Sequence, residues 1–152
     1  MDLVLFEDAM KHVCRISRII SSPSGHALLV GVGGSGKQSL SRLAGSICGY
    51  SPVTIVISGN YSMNNFKEDL QKMYKRAGVK GEGLMFLFTD SQVVDERMLV
   101  YINDLLSSGE IPDLFAQVRT LSMQYRSHFC RPLLSFSVEF SSLISKFSGG
   151  QG

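Results

Sequence analysis

The sequence has no tryptophan, only three cysteines among its 152 residues, four prolines and almost no net charge. Each shortage removes a class of protein. Cys14, Cys48 and Cys130 are odd in number and none lies in a C-x-x-C pair, so neither a disulfide framework nor a zinc site is expected. Reduced, mostly buried thiols follow. His12, His26 and His128 share no ligand spacing with each other or with the cysteines, which leaves no metal cluster to assign. A formal charge of +2 carried by scattered basic residues argues against nucleic acid and against a lipid surface as partners. No apolar run is long enough to span a bilayer. The first residues, with Asp2 and Glu7, lack the basic-then-apolar order of a secretory signal, and a cytoplasmic location is expected.

What is present suits a packed core. The chain is 44% hydrophobic and 18% charged, and one domain of this length typically buries about 68–70% of the surface its unfolded chain exposes. Residues Leu3 to Ile20 set apolar side chains at Phe6, Met10, Val13, Cys14 and Ile20 against charges at Glu7, Lys11, Arg15 and Arg18, which predicts an amphipathic helix. Pro23 lies in the segment that ends it. "HALLVGV" then reads as a strand covered on both faces, followed by a glycine turn and a helix from Lys37 to about Cys48. "PVTIVIS", from Pro52 to Ser58, predicts a second buried strand, and Gly59 to Asn65 a polar connection. A helix over Phe66 to Ala77 is stopped by Gly78, "GLMFLFTD" gives a third strand ending at Asp90, and a helix over Val94 to Leu106 closes at Gly109.

Alternating strands and helices with non-alternating apolar strands imply an α/β fold with a parallel sheet flanked by helices. Ligands of such folds sit beyond the carboxyl ends of the strands, where both the glycine turn and Asp90 fall. Residues 1–116 read as this domain. From 117 to 152 the chain becomes serine-rich, and only Leu133 to Phe140 alternates apolar and polar residues as a short strand would; disorder is an equal alternative for this tail.

The turn is "GVGGSGKQS". Gly31, Gly36 and Lys37 satisfy the G-x-x-x-x-G-K core of a phosphate-binding loop, and Gly33, Gly34 and Ser35 fill its interior. Glycines let successive N–H groups converge as an anion nest, the following helix adds the positive end of its dipole, and the Lys37 ammonium can reach β and γ phosphates. ATP or ADP is the expected ligand; the alternative is a flexible glycine turn with a solvated lysine. Gln38 stands where a serine or threonine hydroxyl usually takes Mg²⁺, and Ser39 is about 100° further round the helix. Gln38, Thr89 and Asp90 are the Mg²⁺ candidates, and Asp90 is the candidate catalytic carboxylate. The strand end "FLFTDS" offers one carboxylate in either register: Thr89 at the metal position with a short Asp90 at the water-orienting one, or Asp90 at the metal with Ser91 leaving the other empty. Binding without efficient hydrolysis follows from either.

The glutamine-bearing loop, the "TDSQVVDE" strand end and "INDLLSSGEIPDLF" together resemble the fourth AAA+ module of an axonemal dynein heavy chain, over about Asp2 to Phe115. The resemblance implies a P-loop NTPase fold of AAA+ type within a microtubule motor of six such modules, working in the cilium. It implies a regulatory nucleotide site, with other modules and, through the whole motor, microtubules as partners. Gly31, Gly33, Gly34, Gly36 and Lys37 would cradle phosphates, with Gln38 and Ser39 beside them and Thr89 and Asp90 at the acidic strand end; Val4 to Phe6 would match a segment that packs on the base. "AQVRTLSMQYRSHF" departs from the acidic stretch with which family members continue past "IPDLF", so the chain reads as an incomplete, truncated module. In such sheets a further strand lies between the loop strand and the acidic one, and Leu133 to Phe140 is the candidate to fill that gap. Two other classes stay open: a small P-loop phosphotransferase, with Arg97 as a substrate-side cation, and a non-catalytic fragment that binds motor subunits through its first helix and an exposed sheet edge.

Overall fold

The computed structural model describes residues 6–23, 25–112 and 114–115, together with the backbone of 135–139. Val4, Leu5, His128, Cys130 and the tail on either side of that last segment lie outside the described residues. In chain order the elements are α1 (Glu7–Ile20), β1 (Ala27–Leu29), α2 (Lys37–Ile47), β2 (Ser51–Thr54), α3 (Met63–Lys80), β3 (Leu84–Thr89), a single 3₁₀ turn (Asp90–Gln92), α4 (Arg97–Ser108) and β4 (Ser135–Glu139).

The four strands form one sheet in the order β1-β4-β3-β2, and every neighbouring pair is parallel. β4, from the stretch that carried the alternating pattern, lies between the loop strand and the acidic one. Its register sets Val138 opposite both Leu28 and Phe88, and Glu139 opposite both Leu29 and Thr89. β1 therefore reaches β3 only through β4.

Burial explains the layering. All six residues of β3 are buried, as a strand covered on both faces requires. Met85 and Leu87 pack with Val13, Ile16 and Ile20 of α1 and Ala44 of α2. Leu84, Phe86 and Phe88 point the other way, into Phe66, Leu70 and Met73 of α3 and Met98, Ile102 and Leu105 of α4. The result is a sheet between two helical layers. α2 passes close to the sheet at Gly45, where a Cβ would come within 2.5 Å of the Met85 methyl and would require that side chain to move.

Several expectations are corrected. The buried stripe of α1 is Ala9, Val13, Ile16 and Ile20, whereas Phe6, Met10 and Cys14 face outward; the first turn's apolar residues have no described element to cover them. Cys48 is half-buried, so neither described thiol is fully enclosed. β2 is shorter than "PVTIVIS" and exposed along most of its length, because it is an edge strand with one neighbour; Pro52 is tolerated there for the same reason. Beyond Thr54 the chain leaves the ladder, with Ile55 buried but Val56 80% exposed.

α3 begins earlier and ends later than its apolar spacing suggested. The Asn65 side-chain oxygen accepts from the Ser62 N–H at 3.1 Å and from its hydroxyl at 2.7 Å, which starts the helix at Met63. Gly78 stays helical, and Gly81 at φ 66° is the left-handed stop. α4 starts at Arg97 rather than Val94, since the Asp95 carboxylate accepts the Arg97 N–H at 2.9 Å and so opens the first turn.

Candidate phosphate-loop site

The loop joins the carboxyl end of β1 to the start of α2. Gly34 and Gly36 hold φ of 76° and 78°, a conformation that L side chains rarely adopt, and a Cβ added at Gly33, Gly34 or Gly36 would meet nothing within 4 Å. The turn thus carries its glycines for backbone shape and leaves open space beside them. α2 begins with no side-chain cap on its first N–H groups, with Leu40 N–H to Gly36 O at 2.9 Å as its opening bond. Uncapped donors and the positive end of a helix dipole face the loop together.

Lys37 is folded under the turn. It is only 9% exposed, and its Nζ donates to Gly31 O at 2.9 Å, Val32 O at 2.5 Å and Ser35 Oγ at 2.9 Å. One turn further along α2, the buried Ser41 hydroxyl donates to Lys37 O at 2.9 Å, which fixes the backbone from which the lysine projects. The ammonium is therefore held at the loop by short contacts instead of extending into solvent. A phosphate oxygen is chemically equivalent to these acceptors and carries more charge.

Beside the loop, an open cleft of about 390 Å³ runs between α2 and the ends of β2 and β3. Gln38 and Arg42 line it from α2, Thr54 to Ile57 from the β2 end, and Leu87, Thr89, Ser91 and Gln92 from the β3 end. Of the three Mg²⁺ candidates, Gln38 and Thr89 border this space and Asp90 is not among its lining residues. Thr89 is the last residue of β3, and its hydroxyl is bonded to Ser91 Oγ at 2.9 Å; the Asp90 carboxylate accepts the Ser91 N–H at 2.9 Å. The described lining holds amides, hydroxyls and one guanidinium but no carboxylate, a poor match to the anionic oxygen set that Mg²⁺ takes. No cluster of three or more His, Cys, Asp or Glu side chains able to hold a metal occurs among the described residues.

Gln92 organises the acidic strand end, and the sequence reading did not single it out. Its Oε1 accepts the Thr89 N–H at 2.9 Å while its Nε2 donates to Thr54 Oγ1 at 2.7 Å and Ile55 O at 2.6 Å. One amide thus ties the β3 terminus to the β2 terminus. Gln92→Ala should lower stability by about 1–2 kcal/mol, because half-buried backbone groups lose their partner; chemical denaturation of the two proteins measures it. A variant as stable as the parent would show that water replaces all three bonds.

Arg97 does not serve as a free cation. It makes a 2.6 Å ion pair with Asp95, whose carboxyl the hydrogen bonds from Arg97 hold down at about 2.

A glycine-rich turn between a parallel strand and a helix, with a buried lysine closing it and an acidic strand end nearby, defines a phosphate-loop type of α/β module. The chain belongs to the family described as P-loop containing dynein motor region D4, whose model matches residues 1–128. It is 87% identical over 117 residues to the dynein alpha chain of the flagellar outer arm of Chlamydomonas reinhardtii, and 62% identical over 115 residues to the beta chain of the same arm. It is 60% identical over 116 residues to human dynein axonemal heavy chain 9. These matches cover 77%, 76% and 76% of the chain but only 3%, 2% and 3% of the three relatives, so the chain spans a few per cent of the length of the proteins it matches. No helix among the described residues is long and apolar enough to cross a membrane.

Proposed function

We propose that this chain is a nucleotide-binding piece of an axonemal dynein heavy chain, holding ATP or ADP at Gly31 to Lys37 as a regulatory site with weak or no hydrolysis. The observation that carries the reading is the loop itself, which sets left-handed Gly34 and Gly36, an uncapped helix start and the buried Lys37 ammonium within one short turn. The N–H groups from Gly33 to Lys37 and the ammonium would bind phosphate oxygens, with Ser35, Gln38 and Ser39 beside them. Bound nucleotide would bring its own phosphate chemistry; the chain's part is to orient it. Turnover needs a carboxylate to order the attacking water, and Asp90 is the one candidate, engaged with Ser91 and outside the cleft lining.

Residues 1–116 form the module in this reading, and 117–152 a divergent tail that contributes β4. Through the full motor, the partners would be other AAA+ modules and microtubules, and the location the axoneme. These follow from the relatives, which are named as flagellar and axonemal dynein chains. The phosphotransferase alternative weakens, since its substrate-side Arg97 is paired with Asp95. The interaction-fragment alternative keeps some support in the outward Phe6 and Met10 at the first helix and in Leu28 on the β1 edge, 61% exposed.

Saturating nucleotide tests the reading. At a hundred times Kd, ATP or ADP should stabilise the chain by roughly 2.7 kcal/mol, a shift of several degrees in a thermal melt. Melts that coincide with and without millimolar nucleotide would contradict it.

A further inference from the structure

The cleft beside the loop carries a positive charge that the phosphate-loop pattern does not use. Arg42 lies four residues after Gln38 on α2, so the two share a helix face about 6 Å apart along the axis. Both line the cleft, opposite Thr89, Ser91 and Gln92. Side chains on a helix lean toward its N-terminus, so the long arginine stem is able to carry the guanidinium back toward the level of Gln38. Arg42 makes no hydrogen bond or ion pair with a described residue. The lysine at the loop is engaged with its own turn; among the described lining residues, the arginine is the uncommitted cation.

We propose that Arg42 is a second phosphate-binding residue, supplying the counter-charge that a divalent cation provides elsewhere, so that the nucleotide is held metal-free between Lys37 and Arg42. Three features support it. The described lining has a guanidinium and no carboxylate, which favours an anion over Mg²⁺. Gln38 replaces a metal-binding hydroxyl with a neutral amide that can donate to a phosphate oxygen. The planar guanidinium fork matches two phosphate oxygens at once, which a lysine cannot do. The inference rests on the reading that the loop binds nucleotide and adds the form in which it is bound.

Titration with a fluorescent ADP analogue, in EDTA and in excess Mg²⁺, tests it on the full chain and on Arg42→Gln and Arg42→Lys. The parent should bind with similar affinity in both buffers. Arg42→Gln should lose roughly tenfold in EDTA, Arg42→Lys less, and both should melt at the parent's temperature without nucleotide, since the side chain is exposed and makes no bond to the described fold. Arg42→Gln binding as tightly as the parent in EDTA would overturn the proposal, as would a parent that releases the analogue when Mg²⁺ is chelated. Absence of binding by the parent in either buffer would overturn the nucleotide reading itself, a result distinct from both.

Discussion

Deleting residues 132–152 should yield a chain that lacks a cooperative thermal transition and self-associates. β4 is one of the two interior strands of the sheet, paired along Ala27–Leu29 on one side and Met85–Thr89 on the other. Without it β1 loses its neighbour, and the described strands contain no other pairing for it. β3 keeps β2 on one side only. The backbone groups then left without partners would each be destabilising by about 1–3 kcal/mol where they stay buried. Even a few of them rival the whole stability of a typical domain, about 5–15 kcal/mol. The exposed edges of two flat, apolar parallel strands also template pairing between chains. Ser137→Pro in the full chain isolates the strand from the rest of the tail, because proline at the middle of an interior strand removes a ladder hydrogen bond. Circular-dichroism melts and size-exclusion chromatography read both variants. A deleted chain that stays monomeric with an unchanged melting temperature would show that the sheet stands without β4.

Lys37→Ala should weaken ATP and ADP binding by about a hundredfold while leaving the fold in place. A charge-assisted hydrogen bond contributes roughly 1.5–3 kcal/mol, and an ammonium facing a polyphosphate makes more than one. Two bonds at the lower figure already reach about 3 kcal/mol, or a little over two decades in Kd. The same substitution removes the ties to Gly31 O, Val32 O and Ser35 Oγ, which are local to the loop, and Lys37 itself belongs to neither hydrophobic cluster. Equal affinity of parent and variant, by equilibrium dialysis against labelled ADP, would place the ligand elsewhere.

The loop was the most legible part of the sequence, because its chemistry is local. Gly36, Lys37 and the helix start fall where the motif put them, as backbone shape is dictated within seven residues. β3 was equally plain: a strand buried on both faces reads as an unbroken apolar run, here Leu84 to Phe88 with only the terminal Thr89 polar. Strand β4 was readable from its own residues only as an alternation in an ambiguous tail, and its place in the sheet only through the family resemblance, since what makes it a strand is the vacancy between β1 and β3, a property of distant residues.

The misreadings share one cause. Cys14 and Met10 were placed in the stripe of α1 by hydrophobicity, while the true stripe uses Ala9 and Ile16, one residue earlier or two later, because α2 and the sheet decide which face is covered. β2 was overextended because apolar content does not distinguish an edge strand from a central one. Gly78 read as a stop because propensity disfavours it, yet the packing of Tyr74 and Ala77 carries the helix past it to Gly81. At the site, Gln92 was invisible for a related reason. Its role lies in joining Thr89 to Thr54 and Ile55, which lie 38 and 37 positions before Gln92 on the β2 side, and no local spacing announces that bond.

Nucleotide held at the glycine loop without a metal is the central property expected of this chain. Isothermal titration of ADP and ATP into the full chain, in EDTA and again in Mg²⁺, measures that directly. One site per chain, with a Kd that changes little between the two buffers, is the predicted result. No heat of binding, or binding that appears only with Mg²⁺, would contradict it.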